Sequence, residues 1–349
     1  MASAVIYMQR CLELAALGAG YVSPNPMVGA VIVHNDRIIG EGYHRKYGEA
    51  HAEVNAVNMV IDRYTDAAQL LQEATIYVSL EPCAHYGKTP PCADLIIKHQ
   101  IPRVVVGCRD PFSQVDGKGI EKLLAAALGV TTGVLEQECR WLNRRFFSRV
   151  QKHRPYIILK WAQTANGFFA PADGSQFWIT GVESRKLVHQ WRAEEDAILV
   201  GKNTVLADNP QLNVRYAEGR SPRRVVIDRQ LQLDKTFNVF DKTVETLVFN
   251  AEKFDVDDNI KYIQLEDFDN YVPQYIMYQL YLQDIQSVII EGGAKTLQHF
   301  IDAGLWDEAR IFTGQATLRA GIPAPRLSGK NEGSQTIGSD ILQIFTNQP

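Results

Sequence analysis

Residues 75–96 read TIYVSLEPCAHYGKTPPCADLI. The opening TIYVSL, rich in β-branched and aromatic side chains, suits a buried strand. Two proline–cysteine pairs, Pro82-Cys83 and Pro91-Cys92, then bracket a polar loop, and ADLI continues as a helix. A strand passing through a loop into a helix is the repeating step of an α/β domain, and the step recurs on both sides of this stretch. Upstream, HAEVNAVNMVI opens a helix near His51. It is preceded by strands VGAVIV and RIIGEGYH, joined at His34-Asn35-Asp36, and by a helix over about residues 3–17 that stops near Gly18 and Gly20. Downstream come the strand RVVVGC, a helix near 118–128 and a strand around Val130–Val134. This alternation predicts a three-layer α/β domain with helices covering a central sheet.

From Glu136 to Lys152 the chain is charged and helical, with Arg140, Arg144, Arg145 and Arg149 reading as a solvated face; phosphate binding is the alternative. The pattern breaks at Arg154-Pro155, which divides the chain into domains of residues 1–150 and 151–349. Strand–helix alternation then restarts with YIILKWA, a helix from Gly181, AILVG, RVVIDR, TLVFN and SVIIEGG followed by a helix. This is a second α/β domain, and it does not repeat the first. A length of 349 residues with 46% hydrophobic content supplies two separate cores.

The bulk properties narrow the function. A formal charge of −4 provides no basic field of the kind that grips long nucleic acid, so a small-molecule substrate is expected. Five cysteines, an odd number, do not form a disulfide framework, which points to a reducing cytoplasm. Arg10 and Glu13 interrupt the apolar run at the N-terminus, where Ile6, Leu12, Leu14 and Leu17 have helical spacing. No stretch approaches the ~20 apolar residues of a membrane span. Neither nucleic acid nor membrane is expected as a partner; further copies of the chain, as a homo-oligomer, are.

His51, Cys83 and Cys92 carry the chemistry. One imidazole and two thiolates are ligands that Zn²⁺ prefers, and three protein ligands leave a position for water, the arrangement of a catalytic site. Zinc lowers the pKa of that water to about 7, giving hydroxide at neutral pH. Glu53, two residues from His51, is placed to carry a proton from the water to a departing amine, which leaves poorly unless protonated. The set matches the H-x-E and P-C pattern of zinc deaminases, except that eight residues instead of two separate the cysteines. The intervening loop brings His85 and Lys88 to the pocket. A structural zinc site, with His44 or His85 as a fourth ligand, is the competing reading. Cys11, Cys108 and Cys139 belong to no motif and read as buried apolar residues.

With SPNPMVGAVIV at 23–33, HAEVNA at 51–56 and the long PC-x8-C loop, the first half resembles the deaminase half of the bifunctional riboflavin-biosynthesis deaminase–reductase family. LKWAQTANG at 159–167, WITG at 178–181, the stretch from His189 to Arg215 and IIEGGAKTL at 289–297 are similar to the reductase half. The resemblance implies a cytidine-deaminase-like domain followed by a dihydrofolate-reductase-like one. It implies zinc-dependent hydrolysis of the 2-amino group of 2,5-diamino-6-(5-phosphoribosylamino)pyrimidin-4-one. It further implies NADPH-dependent reduction of the ribosyl group of 5-amino-6-(5-phosphoribosylamino)uracil to ribityl.

Carried over by position, His51, Cys83 and Cys92 are zinc ligands and Glu53 is the proton shuttle. Asn25, His44 and Lys88 are substrate contacts of the deaminase. In the reductase, Ala162, Trp178, Thr204, Asp208 and Gly293 fall to NADPH. Gln176, where the family has a serine, falls to the substrate together with Arg192, Leu212, Arg215 and Glu291, and Lys160 orients the sugar. Arginine suits the phosphate because its fork binds oxyanions bidentately. Gly292-Gly293 also has a reason of its own: it ends a strand and opens a helix whose N–H groups face a phosphate, a tight turn being the plainer alternative. Two other functions share the motif: a tRNA or polynucleotide base deaminase with an accessory domain, and a non-catalytic zinc-stabilised nucleotide-binding module.

Overall fold

The computed structural model describes residues 2–86, 90–173 and 175–347. They divide into two compact units, Met1–His153 and Arg154–Pro349. The first contains α1 (Ala2–Ala16), β1 (Gly29–His34), β2 (Arg37–Tyr43), α2 (Ala52–Arg63), α3 (Ala67–Glu73), β3 (Thr75–Leu80), α4 (Cys92–Lys98), β4 (Arg103–Cys108), α5 (Lys118–Ala125), β5 (Gly129–Thr132), α6 (Glu136–Leu142) and α7 (Arg144–Lys152). Its sheet has the order β2-β1-β3-β4-β5. Strand β1 is antiparallel to both neighbours, while β3, β4 and β5 are parallel.

Alternation along the strands separates two apolar layers. Ala30, Ile32, Ile76, Val78, Val104 and Val106 face one side, against α2 to α5. Val31, Val33, Tyr77 and Val105 face the other, against Met8, Cys11 and Leu12 of α1 and Cys139, Phe146 and Phe147 of α6 and α7. The result is the three-layer α/β/α arrangement expected from the sequence. Cys11, Cys108 and Cys139 are free and buried, as their reading as apolar residues anticipated. Asn35 and Asp36 both have positive φ, at 47° and 59°, and make the two-residue turn that ties β1 to β2.

Glycines set how closely α2 approaches this sheet. A β-carbon on Gly42 would lie 2.3 Å from the Ala52 carbonyl, and one on Gly40 would lie 2.5 Å from that of Ala56. Only a chain without side chains there lets α2 descend onto β2, and with it the start of the helix at His51.

The second unit contains β6 (Tyr156–Gln163), β7 (Phe168–Pro171), α8 (Val182–Glu194), β8 (Ala197–Gly201), α9 (Lys202–Asp208), β9 (Arg223–Ile227), β10 (Thr246–Asn250), β11 (Asp255–Asp257), β12 (Ile260–Gln264), α10 (Val272–Leu282), β13 (Ser287–Gly292), α11 (Ala294–Asp302), β14 (Glu308–Thr313), β15 (Gly321–Pro323), β16 (Lys330–Ile337) and β17 (Asp340–Thr346). Ten strands form one sheet in the order β11-β12-β10-β9-β8-β13-β6-β14-β17-β16. The seven from β12 to β14 are parallel, and their continuous Val/Ile/Leu runs follow from burial on both faces. Ile157, Leu159 and Trp161 of β6 join one core and Tyr156 and Ile158 the other. Three features stand outside the strand–helix reading: the β16–β17 hairpin that closes one edge of the sheet, the short antiparallel β11 at the other, and the β15–β7 pair. Among the described residues no helix is long and apolar enough to cross a membrane.

Candidate functional site

Helix α2 starts immediately after His51, and α4 starts at Cys92 with Pro91 before it. Cys83 follows the end of β3. Three separate elements thus deliver one ligand atom each, and the His51 nitrogen and the two sulfurs lie within 4.8 Å of one another. His51 Nδ1 is 3.7 Å from Cys83 Sγ and 3.3 Å from Cys92 Sγ. Zinc with nitrogen and sulfur ligands at tetrahedral angles would separate such atoms by about 3.6 Å, so this donor set fits the ion in both chemistry and spacing. No fourth His, Cys, Asp or Glu joins the three among the described residues, which is the open geometry of a catalytic site.

The thiols are already polarised for coordination. The Cys92 thiol donates to Cys83, and although burial opposes it, this bond together with those from His51 and the Cys92 amide holds the Cys83 thiol down at about 4. Cys92 is pushed up by the same shared bond and by burial. Its amide N–H donates to Cys83 Sγ at 3.3 Å. Glu53 is 3% exposed, and burial pushes its carboxyl upward against the pull of His51.

Asn25 sits beside this cluster in the turn that precedes β1. His44 Nδ1 lies 3.1 Å from the Ala50 carbonyl, which can only accept, so Nδ1 carries the proton. Nε2 therefore accepts from the Asn25 amide at 3.2 Å, which fixes the amide orientation and turns its Oδ1 away from His44. Lys88 lies outside the described residues.

Three residues that sequence reasoning missed hold this site together. Asn143, in the break between α6 and α7, donates to the Met27 carbonyl and accepts from the Met27 N–H, both at 2.8 Å, and so fastens the turn carrying Asn25. Glu81 accepts main-chain N–H groups from Asp110, Gly117, Gly119 and Ile120. Asp110 is buried beside Glu81 and Cys83, and burial first, then those neighbours, push its carboxyl up to about 7. Neither Asn143 nor Glu81 announced itself by spacing, because each acts on backbone far away in sequence, whereas Asp110 accepts the N–H of nearby Phe112.

In the second unit, Lys160, Arg192 and Glu291, and next to them Thr204 and Gly293, come together near the C-terminal ends of β6, β8 and β13, where open α/β sheets bind ligands. Glu291 receives both Nε and Nη2 of Arg192, at 3.0 and 2.7 Å. Burial alone would raise the Glu291 carboxyl, but Arg192 and Lys160 hold it at about 2. Lys160 is drawn below the usual lysine range by burial, with Glu291 opposing and Arg192 reinforcing. Thr204 of α9 packs against the glycine pair: its Oγ1 would meet β-carbons on Gly292 and Gly293 at 2.9 and 3.3 Å. Two helix N-termini thereby lie side by side.

Arg215 and Leu212 lie on the loop after α9. The Leu212 side chain is 2% exposed and packs in the core, with its main chain at φ 52°. Burial raises the Asp208 carboxyl. Ala162 lies near the end of β6. Gln176 and Trp178 are exposed between β7 and α8, with the Arg185 guanidinium 4.9 Å over the Trp178 ring.

Comparison with known proteins finds a match for each unit. Residues 1–108 match the cytidine and deoxycytidylate deaminase zinc-binding region, and residues 155–342 match the RibD C-terminal domain. Riboflavin biosynthesis protein RibD of Aquifex aeolicus is 40% identical over 97% of each chain. The chain belongs to the RibD family. RibD of Escherichia coli is 36% identical over 89% of this chain and 88% of its own. A Thermotoga maritima diaminohydroxyphosphoribosylaminopyrimidine deaminase/5-amino-6-(5-phosphoribosylamino)uracil reductase superposes with a TM-score of 0.91 at 36% identity, covering 99% of both chains. Acinetobacter baumannii RibD superposes at 0.90 with 33% identity, covering 100% of this chain and 99% of its own. This RibD-family chain is a bifunctional enzyme of riboflavin biosynthesis, in which a zinc-binding, cytidine-deaminase-like domain precedes a reductase domain.

Proposed function

We propose that Met1–His153 hydrolyses the 2-amino group of 2,5-diamino-6-(5-phosphoribosylamino)pyrimidin-4-one, and that Arg154–Pro349 reduces the ribosyl group of the resulting uracil with NADPH. The observation that carries the first half is the meeting of His51, Cys83 and Cys92 beside a buried carboxylate that belongs to none of them. These three residues would hold zinc, which when bound would supply a Lewis acid able to lower the pKa of a water towards neutrality. Glu53 takes the proton from the attacking water and returns it to the departing nitrogen. Its burial favours the protonated form that the second transfer requires. Asn25 offers Oδ1 to the N–H groups of the pyrimidine, and His44 stands behind it and sets that orientation.

In the second unit Thr204 and Gly293, at the adjacent starts of α9 and α11, would hold the phosphates of NADPH, and Ala162, Trp178 and Asp208 would complete the cofactor contacts. The cofactor supplies a hydride. Arg192 has committed its fork to Glu291, so the substrate phosphate falls to Arg215, whose guanidinium is tethered through Nη1 to Gln211 and Asn213. Gln176 and the Leu212 main chain are assigned to the same substrate. Lys160 and Glu291 face the sugar as a coupled acid and base.

The test follows ammonia release and NADPH oxidation together on the zinc-loaded protein. Glu53→Gln should keep zinc and lose ammonia release by roughly 10²–10⁴-fold, with reduction of added uracil substrate unchanged. Retained deamination in that variant would overturn the assignment.

A further inference from the structure

Helix α8 carries two polar residues three positions apart, the buried His189 and the half-buried Arg192, and both engage one loop. Arg192 Nη1 reaches the Asn213 carbonyl at 3.4 Å, and His189 Nδ1 accepts the main-chain N–H of Arg215 at 3.1 Å. Between them, the N–H of Val214 is taken by Ser221 Oγ at 3.1 Å. The loop needs such pins: Asn209 and Leu212 both hold positive φ, at 40° and 52°, so its path is not one the chain adopts by default. The His189 ring also packs edge-on against the Tyr216 ring at 4.8 Å, and the Arg215 guanidinium lies 5.9 Å over the Tyr216 ring.

We infer that His189 is a positioning residue of the reductase: by accepting the Arg215 main-chain N–H it fixes where the Arg215 guanidinium meets the phosphate of the substrate. This rests on the reading of the second unit as a reductase that takes a phosphorylated substrate through Arg215. Burial, then the charges of Arg192 and Arg215, hold the ring at about 4, so His189 is neutral at working pH and adds no charge of its own to the phosphate. A neutral ring with Nδ1 accepting carries its proton on Nε2. A proton on Nδ1 would instead face the Arg215 N–H and break the latch.

The chemistry of this contact selects the variants. Asparagine places an acceptor oxygen near the position of Nδ1, whereas leucine fills similar space with no acceptor. Each is assayed on the zinc-loaded full chain with 5-amino-6-(5-phosphoribosylamino)uracil and with its dephosphorylated counterpart; circular dichroism checks the fold of the chain, and ammonia release from the diaminopyrimidine substrate checks the first unit.

For His189→Leu, KM for the phosphorylated substrate should rise about tenfold with kcat little changed. KM for the dephosphorylated one should not move, and His189→Asn should recover most of the loss. If leucine weakens both substrates equally, or if it weakens neither, the inference is wrong. Should the leucine variant fail to fold, the asparagine variant still decides: a tenfold rise in KM there refutes the acceptor role. A parent enzyme that oxidises no NADPH with either substrate overturns the reductase reading itself, and the inference falls with it. That outcome is distinct from one in which the parent is active and the variants do not discriminate.

Discussion

Glu81→Gln tests how the zinc ligands are held. In the folded chain the Glu81 carboxylate, 4% exposed, accepts N–H groups from Gly119 and Ile120 at Oε1 (3.0 and 3.2 Å) and from Gly117 and Asp110 at Oε2 (3.1 and 3.2 Å). It therefore gathers the start of α5 and the preceding loop under the Pro82-Cys83 turn. The contact is tight enough that a β-carbon on Gly119 would lie 1.9 Å from the Pro82 carbonyl. Glutamine keeps the shape but replaces one oxygen with an NH₂ group, so two buried N–H groups face a donor. Each buried N–H left without an acceptor costs about 1–3 kcal/mol, so the pair costs about 2–6 kcal/mol. At about 3 °C per kcal/mol for a unit of this size, melting of the first unit should fall by at least about 6 °C. Because Cys83 loses its support, zinc affinity should also fall by roughly 10–100-fold, as for other partners behind metal ligands. Zinc release on heating, read with a chromogenic chelator, gives the first quantity, and competition for zinc at room temperature gives the second. A variant that melts with the parent refutes the clamp. One that melts early but holds zinc equally well shows that the clamp serves the fold alone.

Removal of zinc by a strong chelator should abolish ammonia release while leaving NADPH oxidation on supplied uracil substrate intact; loss of both would mean that the two chemistries depend on one another. Acid should act on the second unit through Glu291, whose carboxyl is held at about 2 against an ordinary 4.5. A depressed carboxylate contributes stability, here roughly 3 kcal/mol, that is fully present above its unfolded value and is lost as pH falls towards its folded one. The melting temperature of the parent should therefore drop more steeply than that of Glu291→Gln between about pH 5 and pH 3; parallel curves would count against the Arg192–Glu291–Lys160 network.

Much of the first domain was legible because its signals are local. Strand, loop and helix alternate with clear punctuation, and the metal ligands sit in short motifs whose residue types have few other uses together. His51, Cys83 and Cys92 meet as the motif implied. The second domain yielded its strand order less readily. Seven parallel strands buried on both faces read as similar apolar runs, and nothing in such a run says which strand is its neighbour. The β16–β17 hairpin escaped notice because its outer strand β16 is exposed and polar, KNEGSQTI, and so lacks the apolar alternation that marks a strand. The reductase positions came from resemblance and not from spacing. Lys160, Arg192 and Glu291 sit singly on β6, α8 and β13, and only the fold brings them together.

The residues that remained invisible share one physical property. Glu81, Asn143 and His189 each pair a buried side-chain acceptor with main-chain N–H groups of a distant segment: Glu81 across 29 to 39 residues, Asn143 across 116 and His189 across 26. In sequence such a residue is one polar letter among many, since its partner is backbone and backbone carries no signature. Its energetic weight arises only after folding, when water is gone and an unpaired N–H would cost more than the hydrogen bond ever gained. Ligands and nucleophiles are chosen for their own chemistry and can be read from composition. The groups that aim them are chosen for where the backbone happens to pass, and for these the structure must come first.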